Sequence, residues 1–175
     1  MSFASDRAIE ILNRYWNRQL PVDIHAIAKD MNVNVVERHE WGAITPPDGI
    51  TAQESDRSYD ISGRFDYVNN IPTATIRTTD PWVRQRFTLA HELGHYALGH
   101  PPGFRDNAAS VANFSNYDRA EVDANAFAAE LLMPQFMVDY LIEVKNKSDI
   151  DELAGIFAVS RQAMYWRLKN LGWLA

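Results

Sequence analysis

Apolar residues recur at helical spacing in several separate blocks of this chain. Ala8, Ile11, Leu12 and Tyr15 mark one face of a first amphipathic helix, from about Asp6 to Trp16. Pro21-Val22-Asp23 restarts the chain, and Ile24, Ile27, Ala28 and Met31 mark a second, shorter helix. The period then changes. Val33, Val35 and Val36 read as a strand, while Ile61 to Tyr67 and Ala74 to Arg77 alternate and are rich in β-branched or aromatic residues. Asn69-Asn70 between them suits a hairpin turn, so a small antiparallel sheet is expected. Its edge offers an extended peptide a place to add a strand.

The stretches Gly42 to Arg57, with Pro46-Pro47-Asp48-Gly49, and Pro101 to Tyr117 read as loops and as candidate lids. Helical spacing returns over Arg119 to Met133, closed by Pro134, and over Gln135 to Lys145. Ile150 to Trp173 predicts two short helices hinged near Ala158-Val159-Ser160. There is no internal repeat.

Composition narrows the class. At 175 residues, with 46% hydrophobic and 23% charged residues, the chain has the make-up of an ordinary globular protein. A net charge of −6 disfavours a protein that wraps nucleic acid. The absence of cysteine excludes a disulfide framework and a thiolate zinc site, leaving histidine and carboxylate as ligands. Met1 to Trp16 is charged and amphipathic, unlike a signal peptide, and no apolar run is long enough to span a membrane. A cytoplasmic protein without membrane contact is expected.

The chemistry concentrates at Arg86 to His100. His91, Glu92 and His95 form H-E-x-x-H, and on a helix residues four apart stand one turn above each other on one face. Both imidazoles can reach one tetrahedral metal, with Glu92 beside them and able to address water at an open position. Asp80 as N-cap with Pro81 at the first helical position would start this helix, and Gly99 before Pro101-Pro102 would stop it after about five turns. Leu89, Ala90, Leu93, Ala97 and Leu98 give it an apolar stripe that argues for burial.

Zinc held by two histidines needs one more protein ligand. Of the remaining histidines, His100 lies close along the helix end, and His25 and His39 lie near the N-terminus. The helix from Arg119 offers Glu121, Asp123 and Glu130. Glu121 and Asn125 share a face, which suits a metal ligand and an amide that orients a ligand imidazole. Asp118-x-x-Glu121 also has the spacing of a capping box, in which Glu121 only reaches back to the helix start. Spacing alone leaves both roles open.

The run Arg86-Phe87-Thr88-Leu89-Ala90-His91-Glu92-Leu93-Gly94-His95, followed by Glu121-x-x-Ala124-Asn125-x-Phe127-Ala128-Ala129-x-Leu131-Leu132-Met133-Pro134, resembles the ImmA/IrrE family of bacterial and phage metallo-endopeptidases. Ile61-Ser62-Gly63, the strands to Thr78, Asp80-Pro81 and Leu20-Pro21-Val22 add to the likeness, which covers roughly residues 5–140. The resemblance implies an α+β, zincin-like minimal metalloprotease core: a small antiparallel sheet, the H-E-x-x-H helix and a Glu-bearing helix. It implies that Glu121 is the third Zn2+ ligand beside His91 and His95, in the manner of gluzincins. Glu92 is then the general base for a zinc-bound water. Arg84 and Tyr117 are candidates for stabilising the transition state, though each also has a structural role open to it. The resemblance further implies a narrow protein substrate, a transcriptional repressor or an antitoxin of helix-turn-helix type, cut in induction of a mobile element or a stress response.

Residues 146–175 are expected to form a helical subdomain after a peptidase domain over 1–145. Leu153-Ala154-x-x-Phe157-x-Val159-Ser160-Arg161-Gln162-Ala163-x-x-x-Arg167-Leu168 resembles a helix-turn-helix, with Ser160 as N-cap and Arg161, Gln162, Arg167 and Lys169 on a basic side. Asp149, Asp151 and Glu152 offset much of that charge, which disfavours direct DNA binding. Packing through Met164, Trp166, Leu171 and Trp173 is the simpler use of the segment. A rival function is a non-proteolytic regulatory or toxin protein with structural zinc that binds DNA or a helix-turn-helix antitoxin. An intact Glu92 argues against it, because a structural site has no use for a base.

Overall fold

A computed structural model of the protein describes residues 2–39, 62–102 and 114–174, with side chains of the last segment described from 119 onward. The expected loop at 42–57 and residues 103–113 of the second loop lie outside the described residues. Among the described residues the order is α1 (Phe3–Tyr15), α2 (Ile24–Asp30), β1 (Asn34–Arg38), β2 (Gly63–Val68) and β3 (Ile71–Arg77). Then come α3 (Trp82–Ala97), α4 (Phe114–Leu132), α5 (Gln135–Glu143), α6 (Ile150–Phe157) and α7 (Arg161–Asn170).

Local chemistry accounts for most boundaries. Ser2 Oγ and Asp23 Oδ1 accept from the backbone N–H groups of Ser5 and Ala26 and cap α1 and α2. Asn69 and Asn70, at φ 52° and 63°, supply the two left-handed residues that a two-residue hairpin between β2 and β3 requires. Ser160 accepts from Ala163 N–H at 3.1 Å and caps α7, as its sequence context predicts.

Three expectations need correction. The sheet is mixed rather than antiparallel: its order is β1-β3-β2, with β1 parallel to β3 and β2 antiparallel to it. The hairpin fixes only the second pairing, and β1 takes the free edge of β3. Asp80 does not cap α3. Pro81 occupies the N-cap position, and the Asp80 carboxylate instead accepts from Arg77 Nε at 2.9 Å. α4 begins at Phe114, five residues before the expected start; Ser115 and Asn116 oppose a helix only weakly.

α3 lies between the sheet and α4, and α4 packs on α1 as well. Leu89, Leu93, Phe127, Leu131 and Leu132 are fully buried between these layers, each worth about 1.5–3 kcal/mol of burial. The helices approach closely at Gly94. A Cβ there would stand 3.1 Å from Phe127 Cδ1 and 3.2 Å from the Ala124 carbonyl oxygen. A small residue on each helix therefore sets how near α4 comes to the histidines.

The C-terminal helices join the same core through Leu153, Phe157, Met164 and Leu168. Two buried arginines cross to them. Arg86 of α3 donates from Nε to the Ala158 carbonyl at 3.1 Å and from an NH2 group to Val22 at 2.9 Å. Burial lowers the Arg86 pKa from its usual value, and nearby Asp23 opposes that shift. Arg167 of α7 donates to the Met133 carbonyl and to Glu130 Oε2. Arg167 is thus turned inward, away from the basic side expected of a recognition helix. Arg161 is paired with Asp151 at 2.9 Å.

Candidate metal centre

One turn of α3 and one turn of α4 face each other across the Gly94–Ala124 approach. His91 Nε2 and His95 Nε2 lie 3.0 Å apart. The Glu121 carboxylate reaches both, with Oε2 3.2 Å from His91 Nε2 and Oε1 3.3 Å from His95 Nε2. The three side chains are 6%, 14% and 19% exposed, so the cluster opens to solvent on one side without being a surface feature. Among the described residues no other three His, Asp or Glu groups converge in this way.

The donor set and spacing fit a small tetrahedral ion. Zinc at its usual bond lengths of about 2.0–2.1 Å separates neighbouring ligand atoms by about 3.3 Å. Two imidazole nitrogens and a carboxylate at 3.0–3.3 Å bring lone pairs together. Such an arrangement is stable only with a proton or a metal cation among them.

Asn125 lies one turn beyond Glu121, and its Oδ1 is 3.0 Å from His91 Nδ1. An amide oxygen is an acceptor, so His91 donates from Nδ1 and its Nε2 carries the lone pair directed at the cluster. His95 Nδ1 instead faces His100 Nδ1 at 3.0 Å. Burial lowers the His100 pKa and the adjacent His95 lowers it further, against Asp123 and Glu121, which raise it.

Glu92 is buried on the sheet side of α3. Room for it comes from β2: a Cβ on Gly63 would stand 2.8 Å from Glu92 Oε1 and 2.2 Å from Thr88 Cγ2. Glycine is required here for space rather than for backbone conformation. Arg84 is about half exposed and engaged with Ser62 Oγ at 3.0 Å and Asp80 Oδ2 at 3.5 Å. The Tyr117 side chain lies outside the described residues. His25 faces Glu37 at 3.9 Å on the surface and His39 is exposed, so neither joins the cluster.

Two contacts lie beyond what the sequence pattern shows. His100 is brought onto the His95 ring by the left-handed turn at Gly99. Glu130 offers a carboxylate on the same helix as Glu121, but its partner is a buried arginine 37 residues away.

The Peptidase_M78 family, described as the IrrE N-terminal-like domain, matches residues 49–169. The chain belongs to the ImmA/IrrE family. Its match spans both the H-E-x-x-H helix and the Glu121 helix and continues through most of α7. One relative is the Metallopeptidase ImmA of Bacillus subtilis (strain 168), 31% identical over 90 residues, which is 50% of this chain and 51% of ImmA. Another is Uncharacterized immunity region protein 2 of Bacillus phage phi105, 31% identical over 114 residues, 65% of this chain and 68% of the phage protein. The chain thus spans about half the length of ImmA and about two thirds of the phage relative. No helix among the described residues is long and apolar enough to cross a membrane.

Proposed function

We propose that this protein is a zinc-dependent endopeptidase that cuts a specific cytoplasmic regulatory protein. The observation that carries the reading is the closure of His91, His95 and Glu121 to within 3.0–3.3 Å, with Glu92 next to His91 on the same helix. His91, His95 and Glu121 hold the metal in this reading. When bound, zinc supplies Lewis acidity, acidifying water and polarising the scissile carbonyl.

The remaining work belongs to the chain. Asn125 holds the His91 ring so that Nε2 faces the ion. Glu92 removes the proton from the attacking water and later delivers it to the leaving amine nitrogen. The buried surroundings of Glu92 strengthen its interactions with both. β2 borders Glu92 at Gly63, and among the described residues it pairs with β3 alone. An extended substrate segment adds along that edge, its backbone hydrogen-bonded to the strand.

The phage relative is named for an immunity region and the Bacillus relative is named a metallopeptidase. The immunity-region name points to a repressor as the substrate here, and the family resemblance adds that it is of helix-turn-helix type, with an antitoxin as the variant of the same theme. Purified protein with zinc is expected to cut a co-expressed repressor encoded beside it. Glu92→Gln should abolish cutting while zinc content, measured by metal analysis, stays at the wild-type level. Retained proteolysis in that variant overturns the assignment of the base.

A further inference from the structure

We propose that His100 is a positioning residue for the metal centre, holding the His95 ring through an Nδ1-to-Nδ1 hydrogen bond. The proposal rests on the metal-binding reading above and extends it to a residue outside H-E-x-x-H.

Two imidazole nitrogens 3.0 Å apart share one proton between them: one ring donates and the other accepts. The direction follows from the far side of the His95 ring. His95 Nε2 lies 3.0 Å from His91 Nε2 and 3.3 Å from Glu121 Oε1, so it must present a bare lone pair to hold an ion. The neutral His95 ring then carries its proton on Nδ1 and donates it. His100 accepts on Nδ1 and keeps its own proton on Nε2. With Nδ1 engaged on the side of His95 away from the cluster, His100 does not serve as a ligand.

The backbone brings His100 there. Gly99 adopts φ 70°, a left-handed turn that ends α3. Gly99 N–H bonds to the Tyr96 carbonyl at 3.1 Å, and His100 N–H to the His95 carbonyl at 2.9 Å. This pair of bonds is a Schellman ending. The result is that residue 100 doubles back onto residue 95 twice, once through the backbone and once through the ring. The rings meet edge-on, with centroids 5.1 Å apart at 64°. His91 has an equivalent partner in Asn125 at the same 3.0 Å. One ligand is therefore oriented from the facing helix and the other from the end of its own.

The test compares zinc affinity, by chelator competition on the full chain, for wild type, His100→Ala and His100→Asn. Loss of the acceptor in His100→Ala should weaken zinc binding by about 10–100-fold, the usual effect of losing a ligand's hydrogen-bond partner. The amide oxygen in His100→Asn should restore most of it, as Asn125 does for His91. Unchanged affinity in His100→Ala, or equal loss in both variants, overturns the role. Nitrogen-resolved NMR of the zinc-loaded wild type gives a check that does not depend on any variant folding. It should find the His95 proton on Nδ1 and the His100 proton on Nε2, and a proton on His100 Nδ1 refutes the proposal. A wild-type chain that binds no zinc at all is a different result, and sinks the metal reading itself.

Discussion

Helix α4 carries two glutamates nine residues apart, Glu121 and Glu130, and they meet opposite surroundings. Glu130 is 1% exposed and its needs are met within the protein. Arg167 donates to Oε2, and Gln135 N–H donates to Oε1 at 2.9 Å. Glu121 is turned to two imidazole nitrogens, groups that offer lone pairs as readily as protons. A buried carboxylate given a guanidinium is a finished structural element. One that faces two imidazoles forms with them a group that could hold a metal ion. Burial of an acid is thus a poor guide to its role, and the identity of what faces it is a good one.

The sharpest way to break that contrast is to remove each carboxylate in turn. Glu121→Ala should bring zinc content, read by metal analysis, close to nothing. Unchanged stoichiometry would remove Glu121 from the metal site; a capping role is already excluded, because α4 starts seven residues earlier, at Phe114. Glu130→Ala should leave zinc stoichiometry intact in the folded protein but strip Arg167 of its partner. A buried charge left uncompensated costs about 3–5 kcal/mol, to be read as a lowered denaturant midpoint. Metal loss without loss of stability in Glu130→Ala would erase the distinction between the two acids. A smaller effect sharpens it. Asn125→Ala removes the acceptor for His91 and should weaken zinc binding by about 10–100-fold, measured by chelator competition, with little change in the unfolding of the metal-free chain.

Much of this arrangement was legible in the residues. The helical period of Ala8, Ile11 and Leu12 and the asparagine pair of the hairpin are local signals, and local signals survive folding. The spacing of His91 and His95 gave their common face for the same reason. Most of what escaped was decided by contacts distant in sequence. Glu121, Asp123 and Glu130 are alike until Arg167 and the two histidines are brought alongside α4. The direction of β1 depends on which edge of β3 is open, and nothing within Asn34–Arg38 records that. Asp80 reads as an N-cap beside Pro81, yet a nearby arginine competes for its oxygens and wins. His100 was obscured differently: its role follows from a turn at Gly99, where sequence distance misleads about distance in space.

Arg86 grips the Ala158 carbonyl from the helix that holds His91, and Arg167 grips Glu130 from the far terminus. Releasing Arg167 would strand the Glu130 charge in the interior, and releasing Arg86 would leave the Ala158 and Val22 carbonyls without their donor. The last two helices and the histidine-bearing one are therefore expected to loosen together or not at all. Any ion captured at one side of the molecule would then lend the opposite side its resistance to heat.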